Sequence, residues 1–352
     1  MKNGKIFVKS TVITALLVLI ALFSGGCSTE KKELYIYNWS DYINENLVKS
    51  FEEENSCKII LDYFDSNETM YAKLKAGAAG YDIVFPSGYM VGVMAKEGML
   101  LKLDHSKIPN LKNIDKKYIS FSLDEQHEFS VPYMISNTGI GYLKSKAGET
   151  FEPSWNIFAD PKYKGRMTML NDMREAIGAA LKYLGYSINT TDLKELEEAK
   201  GILMGWKQNI AKFEADQYKN GLVSGEFYFC QGYNGDIFQV RAENADIGYA
   251  IPKEGTTLSS DNMVILNSSK NPDLAYKFIN FMLDGKVSAE NIEYVQYLAP
   301  NKEAYQYLSD GIKSDPAILM PEHVLNRCEV IIDLGNDNAL YSKIWDQVKS
   351  AR

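Results

Sequence analysis

The sequence predicts an α/β fold with a largely parallel sheet and more than one domain, and three observations carry that expectation. The chain has 352 residues, a length that favours about two domains. Strand-like apolar stretches alternate with amphipathic helical stretches from Glu33 to Gly98, the pattern of βαβ units. "FSVPYMISNTGIGYL", from Phe129 to Leu143, then breaks the rhythm with a long apolar run holding Pro132 and Gly139. Such a run has no helical period and suits a strand that crosses between two lobes.

The elements follow in order. "MKNGKIFVKS" is basic, "TVITALLVLIALF" is an apolar run short for a membrane span, and "SGGC" ends on Cys27. These are the parts of a signal peptide over residues 1–26. A Cys directly after small residues points to a lipidated Cys27, although Ser24 stands where a Leu-like residue is expected. An ordinary secretory peptide with an incidental Cys is the alternative. A polar linker covers 27–32. "ELYIYN" then reads as a strand and "NENLVKSFEEEN" as a helix with Leu47, Val48 and Phe51 on its apolar face. "CKIILDYF" is a strand, and "SNETMYAKLKAG" is a helix opened by Ser66 or Asn67 and closed near Gly77. "YDIVFP" is a strand, and "SGYMVGVMAKEG" is a helix capped by Ser87. Further on, "KYKGRMTMLND" runs as a strand into the helix "MREAIGAALKYLGY", and "NPDLAYKFINFMLD" and "NALYSKIWDQVKSA" are helices. Ligands of such sheets bind where strands end and helices begin, and Trp39, Asp41, Ser87 and Tyr89 fall at such ends.

Composition excludes several functions. Loss of Lys2, Lys5 and Lys9 with the signal takes the formal charge from −8 to −11, which disfavours nucleic acid. Cys57, Cys230 and Cys328 are odd in number and lack a CxxC pair, so neither a disulfide framework nor a zinc site is indicated. No GxSxG, HExxH, Walker A or complete GxGxxG occurs; "GIG" at Gly139–Gly141 lacks its third glycine. His105, His127 and His323 read as surface residues, and no cofactor motif is present. The acids and aromatics remain. "YIYNWSDYI", Tyr35–Ile43, runs a strand out into Trp, Asp and Tyr, in a chain with 23 Tyr and 4 Trp. Aromatic walls along methylenes, with carboxylates at intervals, are what a linear polyamine requires.

"LYIYNWSDYI", "SNETMYAKLKAG", "YDIVFPSGYMVGVMAKEGML", "SVPYMISNTGIGY", "NDMREAIGAALKYLGYSINTTD", "PKEG" and "YLAPN" occur in one order. As a set they resemble the periplasmic spermidine/putrescine-binding proteins, the substrate-binding subunits of polyamine ABC importers. The resemblance runs from about Glu33 to the C-terminus. It implies a periplasmic-binding-protein type II fold: two lobes, a hinge of crossing strands, and a ligand cleft between them. The lobes would comprise 33–135 plus 259–303, and 136–258 plus 304–352. It implies a monomer that carries spermidine or putrescine to a permease and its ATPase, held outside the cytoplasmic membrane through Cys27. The implied ligand contacts are Trp39, Ser40, Asp41, Tyr42, Ser87, Tyr89, Asp172, Glu175, Tyr233, Asp261 and Tyr297. Tyr233 stands where the pattern commonly has Trp, Ser259 where it has an aromatic, and Ile331 where it has Gln.

Each of these residues also has a plainer reading. Trp39 could anchor a core; Asp41 could be a solvated loop acid. Asp172 and Glu175 form the Asp-x-x-Glu spacing of a capping box. Ser87 could serve only as an N-cap, Asp261 as a turn acid, and Tyr89 and Tyr297 as packing. Two other functions stay open: a binding protein of this fold for another small cation, or a secreted hydrolase using Asp41, Asp172 or Glu175 as acid and base. No adjacent tyrosine pair of the kind that binds ferric ion occurs.

Overall fold

The computed structural model describes residues 31–77, 80–241 and 243–351. Cys27 and the signal segment 1–26 lie outside the described residues. Ten strands form one sheet: β1 (Lys32–Trp39), β2 (Cys57–Phe64), β3 (Ile83–Val84), β4 (Ser130–Leu143), β5 (Met167–Leu170), β6 (Lys212–Glu214), β7 (Phe229–Tyr233), β8 (Ile247–Ala250), β9 (Thr257–Ile265) and β10 (Glu329–Val330). Their order is β2-β1-β3-β9-β4-β7-β5-β6, with β8 on β4 and β10 on β9.

The sheet is mixed, which corrects the expectation of a largely parallel one. β1 pairs β3, and β5 pairs β6 and β7, in parallel. The long central strands pair mostly antiparallel: β9 with β3 and β4, and β4 with β7 and β8, while β10 joins β9 in parallel. A helical crossover keeps successive strands parallel; β4 instead follows β3 after a long excursion from Val84 to Ser130, β9 follows β8 after only a short connection from Ala250 to Thr257, and the two pair antiparallel in the middle of the sheet.

β4 joins two halves. From Ser130 to Asn137 it pairs with β9, and from Thr138 onward it pairs with β7 and β8. "SVPYMISNTGIGYL" is buried along all but one of its positions, as a strand covered on both faces must be. "GIG" is part of this strand and serves packing. A Cβ on Gly139 would stand 2.5 Å from the Tyr249 hydroxyl.

Two sets of apolar cores flank the sheet. Leu34, Phe51, Ile83, Ile135, Phe278 and Ile292 belong to the larger one, and Tyr37, Met70 and Met94 to its satellite. Trp155, Ile177, Leu203, Trp206 and Phe229 form the core on the other half, with Leu170, Leu222 and Ile237 beside it. Ala304, Leu308, Ile312, Ala317 and Val324 pack into the first core, whereas Tyr341, Ile344 and Val348 pack into the second. Cys57 and Cys230 are buried and Cys328 is half-buried. His127, read as a surface residue, is buried; burial pulls its imidazole toward the neutral form.

Six helices reach the strand ends where the candidate residues lie. They are α1 (Glu45–Asn55), α2 (Asn67–Lys75), α3 (Gly88–Lys96), α4 (Met173–Leu184), α5 (Tyr218–Ser224) and α6 (Asn234–Arg241). α1 opens on Asn44, whose side chain accepts from the Asn46 N–H, and α2 opens on Ser66, which accepts from Thr69 N–H.

Candidate ligand-binding site

Asp261 lies in β9 opposite Met134 and is buried. Its two oxygens take one hydroxyl each, from Ser87 at 2.6 Å and Tyr42 at 2.8 Å. Ser87 occupies the N-cap position of α3 but makes no side-chain cap bond. Its hydroxyl turns to Asp261 instead, and Asn67 donates to it at 3.0 Å. Burial pushes the Asp261 carboxyl up to about 6, and the two hydroxyls pull the other way.

Tyr42 carries the arrangement onward. Its ring meets Tyr133 and Tyr297 edge-on, with centroids 5.5 and 5.1 Å apart. Tyr297 donates to Asp236 Oδ1 at 2.7 Å, and Tyr218 donates to Asp236 Oδ2 at 2.5 Å. Tyr297 lies so close over α6 that a Cβ on Gly235 would stand 2.2 Å from its ring. Gly235→Ala is therefore expected to cost about 1–3 kcal/mol of stability through overpacking and to push Tyr297 off Asp236. Thermal denaturation of the variant checks this; an unchanged melting temperature would mean that the ring has room to yield.

A second acidic centre stands at the start of α4. Asp172 is its N-cap and accepts from the N–H groups of Arg174 at 2.9 Å and Glu175 at 3.0 Å, both through Oδ1. Its second oxygen takes no part in the cap. Glu175 does not complete a capping box. Its carboxylate is buried and accepts from the hydroxyls of Thr138 at 2.8 Å and Thr257 at 2.5 Å. Thr138 is where β4 changes partner, and Thr257 begins β9, so Glu175 is fastened to both crossing strands. Burial, and then the charge of Asp172, push the Glu175 carboxyl up; burial, and further on Glu68, do the same for Asp172.

The two centres share Tyr233, at the end of β7. Burial first, and then the charges of Asp172, Glu175, Asp261 and Asp236, drive its phenol well above the ordinary range. Tyr89 is half-buried and donates to Glu68 at 2.9 Å; Asp172 also bears on it electrostatically.

The structure thus bonds Tyr42 and Ser87 to Asp261 and sets Tyr297, bonded to Asp236, edge-on against Tyr42; Asp172 bears on Tyr89 and Glu175, and Tyr233 feels both Asp172 and Asp261. The remaining three residues are arranged differently. Trp39 donates its indole N–H to the Phe85 carbonyl at 2.8 Å and packs on Phe64 at 4.3 Å. Ser40 is exposed. Asp41 is exposed, sits in the left-handed region at φ 54°, and lies 3.7 Å from the Lys219 ammonium. Sequence reasoning missed Asp236, Tyr218, Lys219 and the threonine anchors. Asp236 had a signal: it is the acid closing "YNGD", directly after the residues already singled out. The substitutions Ser259 and Ile331 lie side by side, since Ile331 N–H donates to the Leu258 carbonyl at 3.3 Å.

Known proteins share this arrangement of the chain. A family model described as bacterial extracellular solute-binding protein matches residues 46–321. A putrescine/cadaverine-binding protein of Pseudomonas aeruginosa is 36% identical over 348 residues, covering 95% of this chain and 98% of its own. The spermidine/putrescine-binding periplasmic protein of Salmonella typhimurium is 35% identical over 330 residues, covering 94% and 95%. Among solved structures, the TpPotD lipoprotein of Treponema pallidum superposes with a TM-score of 0.82 at 34% identity, covering 90% of this chain and 99% of that one.

Proposed function

The chain belongs to the bacterial extracellular solute-binding protein family, and we propose that it captures a linear polyamine, putrescine or spermidine, outside the cytoplasm for an ABC importer. The observation that carries this reading is a buried carboxylate, Asp261, held between the Ser87 and Tyr42 hydroxyls at 2.6 and 2.8 Å with the Tyr297 ring against Tyr42; the charges of Asp172, Glu175 and Asp236 bear with it on Tyr233. Burial disfavours the ionised form of Asp261, and burial together with the charge of Asp172 does the same for Glu175. A chain of ammonium groups would relieve that cost, and its methylenes would lie against Tyr42, Tyr233 and Tyr297.

The two sets of cores would be the interiors of two lobes, with residues 304–324 counted in the first. β4 and β9 would form the hinge, and ligand would favour closure because its ammonium groups touch acids from both halves. Glu175, bonded to Thr138 and Thr257, would link ligand charge to the hinge. The closed form would dock on a permease, whose ATPase drives release on the far side; no chemical step takes place in this chain. Export would follow from residues 1–26, and Cys27 would carry the lipid that holds the protein, as a monomer, at the outer face of the membrane.

Isothermal titration of protein lacking residues 1–26, refolded to strip carried ligand, tests the reading with putrescine, spermidine, cadaverine and arginine. One-to-one binding of a polyamine is expected. No heat with any polyamine, from protein shown to be folded, would sink it. Affinity is also expected to depend on pH. An ammonium pairs with the ionised acid, and Asp261 holds its proton up to about 6. Binding should therefore strengthen as pH rises through about 6 and release protons below that value. Heats in buffers of differing ionisation enthalpy measure this; affinity flat from about pH 5 to about pH 8 would show that these acids do not meet the ligand.

A further inference from the structure

We propose that Lys219 is a specificity-determining residue: its ammonium fills the Asp41–Asp236 end of the slot and leaves room for a two-nitrogen ligand in preference to a three-nitrogen one. The inference rests on the polyamine reading.

Lys219 Nζ lies 2.7 Å from Asp216 Oδ1 and 3.7 Å from Asp41 Oδ2. Its side chain is 13% exposed, while both acids are 70% exposed. The ammonium is therefore the enclosed member of the cluster. The residue before it, Tyr218, is buried and bonded to Asp236, which also holds Tyr297. From Asp236 the contacts run through Tyr297 and its edge-on neighbour Tyr42 to Asp261, and Lys219 follows Tyr218 at the Asp236 end of that row. Burial pulls the Lys219 ammonium toward neutrality, but Asp236, Asp216 and Asp41 outweigh it and hold the charge.

The opposite end differs. Asp172 and Glu175 are joined there by Glu68, which bears on Asp172. The nearby cation, Arg174, hydrogen-bonds elsewhere: to the Ile188 and Ile332 carbonyls and the Asn189 and Asn338 side-chain oxygens. Among the described residues no lysine or arginine side chain hydrogen-bonds to Asp172 or Glu175, whereas the Asp41 end already holds a cation from the chain.

A diamine can place one ammonium at Asp172 and Glu175 and the other at Asp261. The third nitrogen of spermidine would reach toward Asp236, where it meets Lys219. Like charges in an enclosed site repel strongly, and a built-in repulsion of this kind is how binding sites reject a competitor.

Titration of the wild-type protein and of Lys219→Met and Lys219→Gln with putrescine and spermidine tests the inference. The wild type is expected to bind putrescine at least as tightly as spermidine. Both variants should improve spermidine relative to putrescine by about tenfold or more, because like charges brought together at a binding site cost at least that much. An unchanged ratio in both variants overturns the proposal. A wild type that prefers spermidine by about tenfold also overturns it, and this arm needs no variant to fold. Absence of heat with either ligand in folded wild type would instead remove the polyamine reading, and this inference with it.

Discussion

Asp261→Asn weakens polyamine binding by about 2–5 kcal/mol, the cost of removing one side of an enclosed charge pair, yet leaves the ligand-free protein folded. The carboxylate sits between the Ser87 and Tyr42 hydroxyls, at 2.6 and 2.8 Å, and among the described residues no cationic side chain is bonded to it. Its folded-state value is raised by burial from 3.8 to about 6. For an acid the sign is then fixed. The folded state binds more protons than the unfolded one in that window, so ligand-free stability falls as pH rises through it and stays lower above. Asn carries no charge to bury and removes that penalty. Its amide oxygen accepts from one hydroxyl, and its NH₂ donates to the other once that hydroxyl turns. The variant's melting temperature near pH 8 should equal or exceed that of the wild type, with a flatter profile below about pH 6. A lower melting temperature with affinity intact would make Asp261 a structural acid.

Asp172→Asn produces a loss of similar size, about 2–5 kcal/mol of binding, and it separates two roles in one side chain. Asp172 caps α4 through Oδ1 alone. Asn caps a helix as well as Asp does, so the helix survives and only the charge is lost. Asp172→Ala loses both, adding about 0.5–2 kcal/mol of destabilisation from the missing cap. Melting temperatures and titrations of the two variants give the comparison. Should Asn leave affinity untouched while Ala lowers only the melting temperature, the residue is a cap and nothing more.

Much of this protein is legible in its sequence because much of it is local. The helix start at Ser66 follows from a capping residue whose oxygen accepts from the Thr69 N–H three positions on. The strand and helix alternation gives the α/β class, and the type II periplasmic-binding fold follows from motifs read in order. The long apolar run at Ser130–Leu143 announces a strand buried on both faces.

The site is another matter. Ser87 reads as a cap, and its hydroxyl instead serves Asp261, 174 positions away. Tyr42 reaches the same acid across 219 positions. Glu175 has the spacing of a capping box, but Thr138 and Thr257 claim it because two crossing strands meet beside α4. Asp41 reads as a seat for a ligand ammonium and has Lys219 of its own chain beside it. Local periodicity carries no information about such pairs. They exist because β4 and β9 pair antiparallel through the middle of the sheet, 120 and more positions apart in the chain. Burial in the resulting fold, which no short stretch specifies, is what raises Asp172, Glu175 and Asp261 and readies them for a cation.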